Sequence, residues 1–174
     1  MSYFIRAGLT LASLSLSGCF HSDDPLIDFP RADTPIAEGR YTYADNNGKA
    51  VAVTVAIDGR WTNVTTLKDD GSTEVQGLVI YDLHHDFYVA MAPRYEYFIL
   101  YVKDRNVTVF DPSRYCRDYL DIVRAKGINL YGGVRVTGDN PRTCHFDNLN
   151  DMLDGAIALI ENNRLGAWRT YRRQ

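Results

Sequence analysis

The feature that most constrains this chain is a run of short β-forming segments punctuated by tight-turn signals. Asn46-Asn47-Gly48, Asp58-Gly59 and Asp70-Gly71 recur at hairpin spacing, and such pairs accept the positive φ angles that two-residue hairpin turns demand. Around them lie Lys49–Ile57, Arg60–Leu67, Thr73–Tyr81, Asp86–Ala92, Tyr95–Lys103 and Asn106–Phe110, with Pro93-Arg94 and Asp104-Arg105 as later turns. Adjacent strands joined by tight turns, with no helix between them, predict an antiparallel meander. Val51, Val53, Val55 and Ile57 alternate cleanly, while Ala50, Ala52 and Ala56 occupy the opposite face. Phe98, Leu100 and Val102 oppose Tyr97, Ile99 and Tyr101, so both faces of these strands are expected to be at least partly covered.

The C-terminal third supplies a cover. Asp111-Pro112 is a helix start, a capping acid followed by proline at the first helical position. Tyr115, Cys116, Tyr119, Leu120, Ile122 and Val123 then form one apolar stripe that ends at Lys126-Gly127. Ile128–Val136 returns to strand character, with Gly132-Gly133 marking a bulge or close approach. After a loop at Gly138–Pro141, Asp147 opens a second helix on which Leu149, Met152, Leu153, Ala156, Ile157 and Ile160 share a face. The tail with Trp168, Arg169, Arg172 and Arg173 reads as a solvated end or as a contact for anionic groups. The expected fold class is therefore α+β: an antiparallel β-meander of about six to seven strands with two C-terminal helices packed against it.

The N-terminus carries a different signal. Arg6 is followed by an uncharged stretch from Ala7 to Gly18, the length of a secretory signal core and shorter than a membrane-spanning helix. Leu16-Ser17-Gly18-Cys19 resembles the lipobox of bacterial lipoproteins. The resemblance implies a signal peptide over 1–18 and lipidation of Cys19 with palmitate-type chains. It implies a membrane partner through that anchor and a place in the bacterial cell envelope. Phe20, standing where an inner-membrane retention signal would carry Asp, favours the outer membrane facing the periplasm. Residues 19–38, with Pro25, Pro30 and Pro35, read as a lipidated tether, or equally as an irregular arm packed through Leu26, Ile27 and Phe29. Residues 39–174 make the single α+β domain, since 174 residues are too few to make two domains the better reading.

Export changes what the three cysteines mean. With Cys19 assigned to lipid, Cys116 and Cys144 remain to form one disulfide in an oxidising compartment. Such a bridge is worth about 3–4 kcal/mol in the chain-entropy model. The competing reading, Cys144 as a nucleophile beside His145, is weak because sequence neighbours rarely face each other.

Other chemistry is sparse. His84-His85-Asp86 is a polar cluster of metal-ligand types, but alternate residues on a strand leave two ligands at most, and a hairpin turn explains it better. His21 and His145 offer no recognisable ligand spacing, so no metal site and no cofactor are expected. Tyr95, Tyr97 and Tyr101 share a face of one predicted strand and form a candidate recognition surface if exposed together; tyrosine also packs well on strands. A formal net charge of −3 gives no basic footprint for nucleic acid.

No catalytic constellation is visible, and the leading expectation is a non-catalytic envelope lipoprotein. It would act as a binding, accessory or assembly factor for a protein, glycan or lipid partner. The alternative is a carrier of a lipid or small hydrophobic ligand in a curved-sheet cavity. In outline only, a curved up-and-down sheet over a helix resembles periplasmic lipid-carrier and lipoprotein folds.

Overall fold

Six consecutive strands form where the turn signals place them: β3 (Ala50–Asp58), β4 (Trp61–Leu67), β5 (Thr73–His84), β6 (Phe87–Ala92), β7 (Glu96–Lys103) and β8 (Asn106–Phe110). They belong to a computed structural model that describes residues 20–68, 70–127, 134–137 and 143–174. The expected signal peptide 1–18, the lipidation residue Cys19, Gly132-Gly133 and the loop at Gly138–Pro141 lie outside the described residues.

The turns between these strands obey backbone chemistry. His85-Asp86 and Asp104-Arg105 each join a strand pair as two-residue loops, and all four residues hold positive φ. That is the requirement of a type I′ turn, met here without glycine. The His84-His85-Asp86 cluster is therefore a hairpin turn, with its three backbones all in the left-handed region.

The expected open meander with two packed helices is overturned by closure of the sheet. Strand β2 (Gly39–Ala44) pairs with β3, and the C-terminal β11 (Ala167–Arg173) bridges β2 to β8. Because β6 also pairs with β7, the order β6-β5-β4-β3-β2-β11-β8-β7 returns on itself as a closed, antiparallel eight-stranded barrel. The physical reason is economy of apolar surface. A curved sheet that closes buries one face of every strand against the others and leaves no free edge among those eight. The segment read as a solvated tail is thus a wall of the barrel.

Closure also explains the alternation. On β3, Val53 and Val55 are buried inside, whereas Ala50, Ala52 and Ala56 are exposed, so the expectation of a covered second face fails there. On β7 it holds: Phe98 and Leu100 point into the barrel, while Tyr97 and Ile99 are buried outside it.

What covers that outer face is a layer of small pieces. Two short helices, α1 (Tyr115–Ala125) and α2 (Leu149–Glu161), lie there with three extra strands: β1 (Phe20–His21), β9 (Val134–Thr137) and β10 (Thr143–Phe146). The helices cover only part of the barrel, and the protein is mostly β. Strand β1 pairs antiparallel with β7 and parallel with β10, aligning Phe20 with Cys144 and His21 with His145. Residues 20–38 lie along the barrel as an arm, with Phe20, Ile27, Ala32 and Ile36 buried. Tyr115 ties α1 to the sheet, its hydroxyl accepting from the Ile99 N–H at 3.1 Å and donating to the Phe110 carbonyl at 3.0 Å. Cys116 and Cys144 form a disulfide between α1 and β10. Gly155 lets α2 approach the aromatic cluster closely: a Cβ there would sit 3.2 Å from the Phe20 ring and 3.3 Å from Phe146.

Among the described residues no helix is long and apolar enough to cross a membrane. On β2 and β3 the barrel buries Tyr41, Val53 and Val55 and exposes Arg40, Ala44, Ala50, Ala52 and Ala56.

Candidate functional site: the barrel interior

Eight strands leave an interior just wide enough for side chains to fill or for one small ligand to occupy. Which outcome applies depends on the inward residues. Here they are mainly β-branched or small: Val53 and Val55 from β3, Val64 from β4, Ala90 from β6, and Val107 and Val109 from β8. Short side chains do not reach the barrel axis. A cavity of about 220 Å³ results, lined also by Ile36, Tyr41, Leu78, Phe98 and Leu100.

Polar groups on this wall are few. Gln76, Glu96, Arg169, Tyr171 and Tyr41 contribute them. The Tyr41 hydroxyl is satisfied, donating to the Ala37 carbonyl at 2.8 Å, and burial holds its pKa above the ordinary phenol value. Burial likewise raises the Tyr171 phenol, offset in part by a hydrogen bond from the Arg169 guanidinium and by its charge.

Arg169 is the distinctive member. Its guanidinium carbon lies 4.6 Å from the Tyr43 ring centroid and 4.1 Å from that of Trp168, so aromatic faces hold the cation in place. Its Nε is buried and has no hydrogen-bond partner. Among the described residues it makes no ion pair with Glu96, the only carboxylate on the cavity wall. A buried donor without an acceptor costs about 1–3 kcal/mol.

The backbone around Arg169 explains its placement. Strands β11 and β2 share only two ladder pairs, Arg172 with Thr42 and Arg173 with Tyr41. Beyond them side chains take over, with Tyr43 and Tyr171 in ring contact at 4.9 Å and Arg169 over Tyr43. A register shift between Ala167 and Arg169 places Trp168 in a bulge and turns Arg169 toward the interior.

The tyrosines singled out in the sequence are divided by the structure. Tyr97 is 1% exposed. Its hydroxyl lies 2.7 Å from the Ser22 hydroxyl and accepts from the Leu26 N–H at 3.0 Å, which pins the arm to the outer layer. Tyr101 is half-buried against Phe87, with centroids 4.9 Å apart, and Tyr95 lies in the turn before β7. The three do not form one exposed surface.

The histidines are rearranged too. The parallel pairing of β1 with β10 sets His21 directly beside His145, although 124 positions separate them in the chain. Burial, then the neighbouring His21, holds the His145 pKa below the ordinary imidazole value, which favours its neutral form near pH 7.

Sequence reasoning missed Arg169, Gln76 and Glu96 as cavity residues. The available signal was the alternation of Arg169 and Tyr171 against Thr170 and Arg172, which has strand period despite its polarity. No known family model, characterised protein or solved structure matches the chain.

Proposed function

We propose that the protein is a carrier or sensor of a small amphiphile, with an apolar body inside the barrel and an anionic head at Arg169. The observation that carries this reading is an apolar cavity of about 220 Å³ with one buried guanidinium nitrogen lacking a partner. Size narrows the ligand class. The volume lies below the roughly 300–1,000 Å³ of sites for drug-sized molecules, so a single short chain fits where a two-tailed phospholipid does not. Arginine suits a carboxylate because its planar fork matches two oxygens.

Isothermal titration with octanoate and 1-octanol tests this directly. Octanoate is expected to saturate one site, and the alcohol to bind about tenfold or more weakly, since a charge-assisted hydrogen bond contributes about 1.5–3 kcal/mol. Arg169→Gln removes that difference. Absence of saturable binding by either ligand, or equal binding of both by the unaltered protein, overturns the reading.

The same proposal places the barrel in a bacterial envelope, held by lipid on Cys19, because Leu16-Ser17-Gly18-Cys19 resembles a lipobox. Palmitate labelling that disappears in Cys19→Ser supports the anchor; label that persists in that variant refutes it.

A further inference from the structure

Away from the cavity, where the N-terminal arm meets β10, three potential metal ligands converge. The Nδ1 atoms of His21 and His145 are 3.3 Å apart. Asp23 Oδ1 lies 3.8 Å from His145 Nδ1, and one ligand atom from each of the three residues fits within 4.8 Å. We propose that His21, Asp23 and His145 form a binding site for a late first-row divalent cation such as zinc, which clamps the arm onto β10.

The distances favour this reading. Two nitrogens bound tetrahedrally to zinc at about 2.0–2.1 Å each are separated by about 3.3–3.4 Å. The two imidazoles already stand at that separation through strand pairing, because His21 and His145 are register partners. Without metal, one Nδ1 must carry a proton and donate it to the other; a divalent ion takes the place of that proton. Both rings would then bind as neutral Nδ1 ligands, each keeping its proton on Nε2.

The surroundings are suited to a cation. Arg135 Nη2 holds the other oxygen of Asp23 at 2.6 Å and is held in turn by Asp147 at 3.0 Å. That arrangement orients the carboxylate and leaves Oδ1 on the histidine side. The two carboxylates outnumber the one guanidinium, so the local field attracts a divalent ion despite the arginine. Asp23 is 64% exposed and is free to close the remaining distance, and the exposure leaves room for water as a fourth ligand. Mixed imidazole and carboxylate donors select zinc and its neighbours over magnesium or calcium, which prefer oxygen alone.

The test uses the full chain. Competition for Zn²⁺ against a chromophoric chelator is expected to show one ion per chain, with Mg²⁺ unable to displace it. The midpoint of thermal unfolding should rise in Zn²⁺ and stay unchanged in Mg²⁺. His145→Ala, and separately His21→Gln, are each expected to weaken Zn²⁺ binding about tenfold or more and to abolish the thermal shift. Co²⁺ bound to the unaltered protein should give the strong visible absorption of a four-coordinate site, which decides the matter even if His145→Ala fails to fold. Less than one ion per chain, or His21→Gln binding Zn²⁺ as tightly as the unaltered protein, overturns the proposal.

Discussion

Strands β5 to β7 separate two apolar clusters that are built by opposite rules. On the inner face, Ala90, Val53 and Val107 are short and leave a hollow near the barrel axis. On the outer face, Phe20, Tyr97, Tyr115, Tyr119 and Phe146 are large, and Phe20 meets Tyr115, Tyr119 and Phe146 edge to face. Phe20 lies 4.7 Å from Phe146 and 5.5 Å from Tyr115 between ring centroids. Successive residues on one strand take opposite parts: Val89 and Met91 pack outward, Ala90 and Ala92 inward. The division of labour has a thermodynamic logic. A cavity forgoes dispersion contacts, so a small barrel that keeps one needs packing elsewhere, and the aromatic, disulfide-linked outer layer supplies it.

Three variants would break or sharpen this contrast. The largest effect is expected from Phe20→Ala, which empties the centre of the outer cluster. Urea unfolding should show a loss of about 3–5 kcal/mol. A loss below about 1 kcal/mol would mean that the arm rests on the barrel without contributing to its stability. Removing the disulfide with the Cys116→Ser, Cys144→Ser pair comes next, at about 3–4 kcal/mol in the chain-entropy model. Octanoate binding under native conditions should survive that change, because the bridge lies outside the barrel. A parallel loss of binding would show that the two clusters are not independent. The smallest effect on stability is expected from Val107→Phe. Overpacking costs about 1–3 kcal/mol in a filled core, but here the hollow absorbs the ring, and the change should stay under about 1 kcal/mol. Octanoate titration should fall to baseline. A large destabilisation with binding retained would place the ligand somewhere other than the barrel.

The parts of this fold that were legible in the sequence are local. Asn47-Gly48, Asp58-Gly59 and Asp70-Gly71 mark three hairpins, and each lies between consecutive barrel strands. The α1 stripe from Tyr115 to Val123 is buried as its spacing implies. Closure was not legible, because it depends on β2 and β11 meeting through two ladder pairs across most of the chain. Strand β11 also disguises itself: its inward positions include Arg169, so its alternation is of size and placement, not of polarity. The candidate sites suffered most. Arg169 reads as part of a basic tail until the barrel turns it inward. His21 and His145 become neighbours only through a parallel pairing that leaves no trace in spacing.

The burial of Phe20 has a consequence for how the protein would stand in an envelope. Cys19 is its covalent neighbour, with Cα atoms about 3.8 Å apart. The first described residue is therefore already locked into the outer layer, paired with β7 and β10 and sealed beneath α2. If the proposed lipid is carried by Cys19, the length of free chain between anchor and domain is set by that burial and not by the proline-bearing arm, which is spent along the barrel.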